Sequence, residues 1–408
     1  MAKILVSLLG TGKMASGDYE KNRYEVTDYI LDGKIYKERT FLSSAIIEHY
    51  KIDKVYFIGT NRSMWDNIAE KFNANEEYIL DILEKKDNFS LKESDLEELN
   101  KNITDILGNS SKCFIVKDGE NEEELWNIFE KFLEILEHID NDDEVYFDIT
   151  HLFRSLSVMS FVIAEFGQTY KNFKLNGIFY GMLKKDEPSL IININMFFEL
   201  LEWAKAFEEI EKFASFNRLI YLSQQKLPKN AFNSLNNLNL AFNIANMTAI
   251  YKAIKQLQTN FNSFKNNEDK IISLLTPRFE KFIKRFLKNS LSEFQFELAK
   301  FFSEKNNFAL AYIALAEAIV TYVCEKKNLD ANKKEDRDKA KEIIKEGFDK
   351  SYPYSHPKKK FANLFFNQIN KIRSNIAHQL ETTKNPKDDI SNFEKYFKES
   401  KKYLKKLY

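Results

Sequence analysis

Only two of the 408 residues are cysteine, Cys113 and Cys324. They form no CxxC pair, which argues against a zinc knuckle or a dithiol redox motif. Both lie in apolar stretches, where a free thiol packs as a small hydrophobe. Charge of one sign is also missing: Lys+Arg and Asp+Glu each number 61. No global basic field draws the chain to nucleic acid, so any such contact must come from local patches. The opening Met1-Ala-Lys-Ile-Leu-Val-Ser-Leu-Leu-Gly10 reads as a strand running into glycine, not as a secretory signal. The longest apolar run, Phe308 to Cys324, is interrupted by Glu317 and is short for a membrane span. A buried helix is expected there, and with it a reducing cytoplasmic location and no membrane partner.

What is present divides into two halves, as the length alone implies. In the first, short β-branched or aromatic runs each stop at turn residues. These are Lys3–Leu9 before Gly10-Thr11-Gly12, Lys54–Ile58 before Gly59-Thr60-Asn61-Arg62, and Cys113–Val116 before Lys117-Asp118-Gly119. Glu144–Phe147 before Asp148-Ile149-Thr150-His151, Phe173–Tyr180 and Leu190–Ile194 complete the set. Helical patterns lie between them at Phe41–Tyr50, Trp65–Phe72, Glu122–His138 and Leu152–Phe166. The alternation predicts an α/β fold with a mostly parallel sheet covered on both faces, and ligands outside the carboxyl ends of its strands.

From about residue 196 the chain reads as all helix. The expected segments are Phe197–Gln225, Ala231–Gln258, Asp269–Lys288, Ser292–Ser303, Phe308–Lys327, Lys334–Lys345, Phe361–Glu381 and Asp388–Leu407, with prolines as punctuation. The Lys334–Lys345 and Lys395–Lys406 charge runs read as solvated faces. Within Phe361–Glu381 stands Arg373-Ser-Asn-Ile-Ala-His378. Neutral histidine can deprotonate a ribose 2′-hydroxyl or protonate a leaving oxygen, and arginine offers planar donors to a phosphate gaining charge. Asn375 is a candidate for orienting the phosphate or the His378 ring. Five positions put Arg373 and His378 about 140° apart on an ideal helix. A helix that ends or opens near Ala377, or a partner chain, would bring both to one cleft. The bland reading is a histidine at a helix end, and the R-x4-H pattern alone is weak.

Two stretches together resemble known families. The first strand with Gly10-Thr11-Gly12, and Asp148-Ile-Thr-His-Leu-Phe-Arg154, resemble the CARF domain, the CRISPR-associated Rossmann-like sensor of cyclic oligoadenylates. Leu152 stands where that family usually has glycine. Arg373 to His378 resembles the R-x4-6-H signature of HEPN ribonucleases, with Ser374 where Asn, His or Asp often follows the arginine. The order of the two resembles the CARF–HEPN ancillary ribonucleases of type III CRISPR systems. The resemblance implies a CARF domain at 1–195, an all-α HEPN domain at 196–408, and a homodimer with a composite catalytic cleft. It implies metal-independent cleavage of single-stranded RNA, no cofactor, no stable DNA binding, and activation by cyclic tetra-adenylate, with cyclic hexa-adenylate as the alternative.

On that reading Gly10, Thr11 and Gly12 let the backbone approach a phosphate, and Thr60, Asn61, Arg62 and Ser63 end the second strand beside it. Thr150, His151 and Arg154 open a helix whose N-terminus favours anions. Each has a structural reading of equal standing: a tight turn for the glycines, a cap for Asp148 and Thr150, an ion pair for Arg154, packing for His151. Competing functions are a ligand-responsive transcription regulator, a CARF domain that also cleaves its ring, and a metal nuclease using Asp388, Asp389, Glu399 and Lys401. The first would need a helix-turn-helix that is not evident, since Gly347 is the only glycine of the helical half.

Overall fold

The structure is a computed structural model that describes residues 1–13, 24–151, 154–184, 187–378 and 386–408, with Arg154 as backbone alone. It divides into two compact units, Met1–Glu199 and Leu200–Tyr408.

The first unit contains, in chain order, β1 (Lys3–Leu9), β2 (Thr27–Leu31), β3 (Lys34–Arg39), α1 (Ser43–Tyr50), β4 (Lys54–Gly59), α2 (Trp65–Lys71), α3 (Glu76–Asp87), α4 (Glu97–Leu107), β5 (Lys112–Ile115), α5 (Glu122–Glu137), β6 (Glu144–Asp148), α6 (Arg154–Lys171), β7 (Lys174–Met182) and β8 (Ser189–Asn193). One eight-stranded sheet runs β3-β2-β8-β7-β6-β1-β4-β5. Five consecutive strands running to one edge, β7-β6-β1-β4-β5, are all parallel. Strand order reverses at β1, with β4 and β5 added on one side and β6 and β7 on the other.

The pleat sorts side chains by parity. Leu5 and Leu9 of β1, with Val55 and Phe57 of β4, face a core shared with α1 to α4. Ile4, Val6 and Leu8, with Tyr56 and Ile58, face α5 and α6. A continuous apolar run is what a strand buried on both faces requires. The expected strands thus stand, shifted by one or two residues at their ends.

Three elements of this unit were not expected. The β2–β3 hairpin turns at Asp32-Gly33, both with positive φ (49° and 78°), as a two-residue turn matching the strand twist demands. Its strands are short and bury only Tyr29, Leu31 and Tyr36, so they lack the continuous apolar runs of the parallel strands. Helices α3 and α4 are mostly charged and bury only Ile82, and Leu99 with Ile103, respectively.

The second unit is helical among its described residues: α7 (Met196–Phe213), α8 (Asn217–Ser223), α9 (Lys229–Asn243), α10 (Met247–Thr259), α11 (Asn262–Lys265), α12 (Lys270–Phe286), α13 (Leu291–Glu304), α14 (Phe308–Lys326), α15 (Lys334–Lys345), α16 (Pro357–Asn363), α17 (Asn370–His378) and α18 (Pro386–Leu407). Two expected long helices are each broken. Ala214 separates α7 from α8 and Ala245 separates α9 from α10, both in the left-handed region (φ 56° and 51°). Neither break carries glycine or proline, so periodicity ran straight through it. Pro277 is not punctuation; it lies inside α12. The expected Phe361–Glu381 helix resolves into α16, a π-helical turn at Leu364–Ile369, and α17, and its last residues fall outside the described ones.

Helix α14 is long and apolar enough to span a membrane by length and composition. In this unit it packs on α13 and buries Ala311, Leu315, Ile319 and Val323 in the common core. Both cysteines are buried, and burial pushes both thiols up, away from the reactive thiolate.

Phe57 is fully buried at the centre of β4, edge-on to Phe41 and Phe72 with ring centroids 6.4 and 6.3 Å away. Phe57→Ala is expected to destabilise the N-terminal unit by about 3–5 kcal/mol. Urea unfolding followed by circular dichroism checks this; an unchanged midpoint would contradict the packing.

Candidate functional site

The parallel register brings the ends of β1, β4, β5 and β6 to one edge, since Leu9 lies opposite Gly59, Gly59 opposite Ile115, and Ser7 opposite Asp148. The turns after β1 and β6 flank the point where strand order reverses, which is where open α/β sheets bind ligands.

Asp148 holds this edge together. Its carboxylate is fully buried and accepts from the Ser7 and Ser43 hydroxyls at 3.1 and 2.8 Å, and from the Thr150 amide and hydroxyl at 3.0 and 2.6 Å. Ser7 belongs to β1 and Ser43 starts α1, so one carboxylate ties three elements. The Thr150 hydroxyl also accepts from the Gly181 amide at 2.9 Å, adding β7. Gly181 has to be glycine: a Cβ there would lie 2.1 Å from Leu42 Cδ1.

The ten expected ligand residues therefore separate. Thr60 and Ser63 are corrected to scaffold, because both are buried and already bonded inside their turn. The Ser63 hydroxyl donates to the Leu9 carbonyl at 2.5 Å and accepts from the Thr60 amide at 2.9 Å. The Thr60 carbonyl accepts from Trp65 Nε1 at 2.8 Å. Thr150 is likewise committed to Asp148 and Gly181.

Thr11 and Gly12 are exposed, and Gly10, Asn61, Arg62 and His151 are partly so. Gly12 has φ +75°, and a Cβ there would sit 2.5 Å from the Tyr24 ring. Beneath it Tyr24 donates to Asp66 at 2.8 Å, and Lys86 reaches Asp66 at 2.7 Å, a buried ion pair that supports the glycine turn. The His151 Nε2 is buried and has no hydrogen-bond partner among the described residues. The Arg154 side chain lies outside the described residues.

Sequence reasoning missed Asp118, which follows β5 and pairs with the Arg62 guanidinium at 2.9 Å. Its position in Lys117-Asp118-Gly119 marked only a turn, and nothing in the spacing tied it to a residue 56 positions away.

In the helical unit, Arg373, Asn375 and His378 all lie on α17, which remains helical through His378. The described helix ends at His378, one residue past Ala377, and along it the two positions lie about 140° apart around the axis. His378 is exposed, and Arg373 is about a third exposed. Arg373 is held from α14: its Nη2 lies 3.7 Å from Glu317 Oε1. The other oxygen of Glu317 accepts from Arg337 of α15, which also donates to Thr321 and the Ala331 carbonyl. Glu317 is the second residue missed here. A lone carboxylate within the apolar run Phe308 to Cys324 was the available signal, since a charge inside a core helix needs a partner. Asp388, Asp389, Glu399 and Lys401 lie on α18. Among the described residues, no three His, Cys, Asp or Glu side chains gather as metal ligands would.

A Rossmann-like, mostly parallel sheet followed by a largely helical region places the chain among proteins that join an α/β domain to a helical unit. Comparison with known proteins makes this specific. Residues 4–183 match the CARF domain model of the CRISPR system endoribonuclease Csx1. Residues 199–292 match the second-domain model of the CRISPR-associated protein MJ1674. The chain is 29% identical to CRISPR-associated protein MJ1674 of Methanocaldococcus jannaschii over 419 aligned residues, covering 96% of this chain and 65% of that protein. The chain thus spans about two thirds of the length of that curated relative. A solved structure, Enterococcus italicus Csm6 bound to cyclic hexa-2′-fluoro-hexa-dAMP, aligns with a TM-score of 0.44 at 13% identity, over 99% of this chain and 93% of that one. Residues 4–183 thus match a CARF domain, and the chain as a whole is similar to CRISPR-associated ancillary proteins. Arg373 to His378 lie outside both matched segments.

Asp148→Ala is expected to strand two serine hydroxyls and the Thr150 amide, costing about 1.5–3 kcal/mol. The urea midpoint of the N-terminal unit should fall while that of the helical unit holds; equal midpoints for wild type and variant would contradict the anchoring role.

Proposed function

We propose that this protein is a cytoplasmic endoribonuclease switched on by a cyclic oligoadenylate, cleaving single-stranded RNA without a metal ion as part of type III CRISPR defence. The observation that carries the reading is a sheet matching the Csx1 CARF domain, with His151 at the strand-end edge and its Nε2 without a partner among the described residues, in the same chain as Arg373 and His378.

The ring's phosphates lie over the Gly10-Thr11-Gly12 turn and the His151 end of the sheet, where backbone amides and the α6 N-terminus favour anions. Cyclic tetra-adenylate is the activator assigned, with cyclic hexa-adenylate as the alternative. A ring with internal two-fold symmetry matches a homodimer. Support for the dimer comes from α6, which starts beside the crevice. Val158, Val162, Phe166 and Tyr170 recur every four residues along it, and all are exposed. Trp126 of α5 is exposed too, and Trp126, Phe129, Phe166 and Tyr170 form a chain of ring contacts. A soluble helix normally turns such a stripe inward, and a self-complementary contact with a second copy covers it.

Two copies also answer the geometry of α17, where one helix does not aim Arg373 and His378 at one phosphate. With a partner's helix alongside, an imidazole accepts the 2′-hydroxyl proton as that oxygen attacks the adjacent phosphorus. The bond to the 5′-oxygen breaks, and that oxygen takes up a proton. Arg373 neutralises the charge gathering on the phosphoryl oxygens, Glu317 holds Arg373 in place, and Asn375 orients the phosphate or the ring. DNA lacks the attacking hydroxyl and is not cut. The ligand activates only by binding the active arrangement of subunits more tightly than the inactive one.

Cleavage of a labelled RNA in the presence of chelator should rise sharply when either cyclic tetra-adenylate or cyclic hexa-adenylate is added; equal rates with and without ring would reject the switch. His378→Ala should lower the stimulated rate by about 10²–10⁴-fold with ring affinity unchanged. Phe166→Glu should leave the fold intact but give a monomer by analytical ultracentrifugation, and with it loss of activation. A dimeric, fully active Phe166→Glu protein would remove α6 from the interface.

A further inference from the structure

At the outer end of the same edge stands an aromatic residue that the reading above leaves unused. Phe89 follows α3, and its side chain is 62% exposed. Its backbone is left-handed (φ 56°), a conformation unfavourable for a bulky residue. The strained turn is held from the ligand edge: Asn61 Nδ2, at the end of β4, donates to the Phe89 carbonyl at 3.0 Å. The neighbouring Arg62 guanidinium carbon lies 5.8 Å from the Phe89 ring centroid. Arg62 is itself fixed by Asp118 after β5. The ring takes no part in the core beneath, which Leu91, two residues on, joins instead.

Chain strain and an uncovered ring thus sit together, propped by two residues of the strand-end turn, at the β4–β5 side of the crevice. The left-handed turn itself closes α3, with the Phe89 and Ser90 amides donating to the Lys86 and Lys85 carbonyls, and it leaves the ring turned out to solvent. An exposed aromatic face beside a cation is what a nucleobase and its phosphate need: the base stacks on the ring and the phosphate meets the guanidinium. β4 is the neighbour of β1, about 4.8 Å along the sheet, so a base projecting from a ring centred over β1 and β6 reaches it.

We propose that Phe89 and Arg62, set by Asn61 and Asp118, form a stacking subsite for one purine base of a cyclic oligonucleotide. The proposal rests on the cyclic-oligoadenylate reading above and adds residues to its site. Stacking is tolerant of base identity, so the subsite supplies affinity rather than base choice.

Isothermal titration of the full chain with cyclic tetra-adenylate and with cyclic hexa-adenylate tests it, using wild type, Phe89→Ala and Phe89→Trp. Phe89→Ala should weaken binding of the accepted ring by about tenfold or more, and Phe89→Trp should stay within about threefold of wild type, as base stacking predicts. The exposed position leaves the fold unaffected, which thermal melting verifies. Wild-type affinity in Phe89→Ala would overturn the subsite and leave the ligand reading standing. Equal losses in the alanine and tryptophan variants would also overturn it, because the loss would then belong to the loop. A wild-type protein that binds neither ring would sink the ligand reading and the subsite together.

Discussion

Everything at the strand-end edge depends on one buried carboxylate. Asp148 accepts hydrogen bonds from β1, from the start of α1 and from its own turn, and through Thr150 it reaches β7. A buried charge of this kind is tolerable only when its oxygens are well satisfied. Once they are, Thr150 is fixed to Asp148 on one side and to β7 on the other. His151 is presented from this rigid platform, and its unsatisfied Nε2 contrasts with the completely occupied carboxylate three residues earlier. Placing an open polar atom next to a closed network is how a scaffold keeps one group available for a ligand.

A parallel construction appears in the helical unit. Glu317 is divided between Arg337 and Arg373, so a guanidinium of the proposed catalytic pair is tied to the most apolar helix of its core. The tie to Arg337 is the tighter of the two. Arg373 therefore keeps partial exposure and part of its donor set for a phosphate. In both units the chemistry-bearing side chain is steadied by a carboxylate, with Asp118 doing the same for Arg62.

The reading of the fold from sequence succeeded where burial is two-sided and failed where it is one-sided. The central parallel strands announced themselves as unbroken apolar runs. The β2–β3 hairpin, with one polar face, did not, although Asp32-Gly33 was a turn signal open to notice. Helices α3 and α4 escaped because their stability comes from a few residues docked on the sheet rather than from a broad apolar stripe. The breaks at Ala214 and Ala245 are left-handed residues with ordinary side chains, and no local preference marks such positions.

For the site, the sequence by itself determined the chemistry-bearing types and their order: a glycine turn after β1, a D-x-T-H turn after β6, and Arg373 and His378 near the end of a helical half. These are set by residue identity and short spacing, which a linear string preserves. Only the tertiary structure decided which polar groups are already spent. Thr60, Ser63 and Thr150 proved to be structural and His151 unsatisfied, while Asp118 and Glu317 emerged as partners of arginines. Beside bonds within a turn, hydrogen-bond satisfaction here draws on neighbours 31 to 141 positions away along the chain, and proximity of that kind exists only after the sheet and the helices have packed.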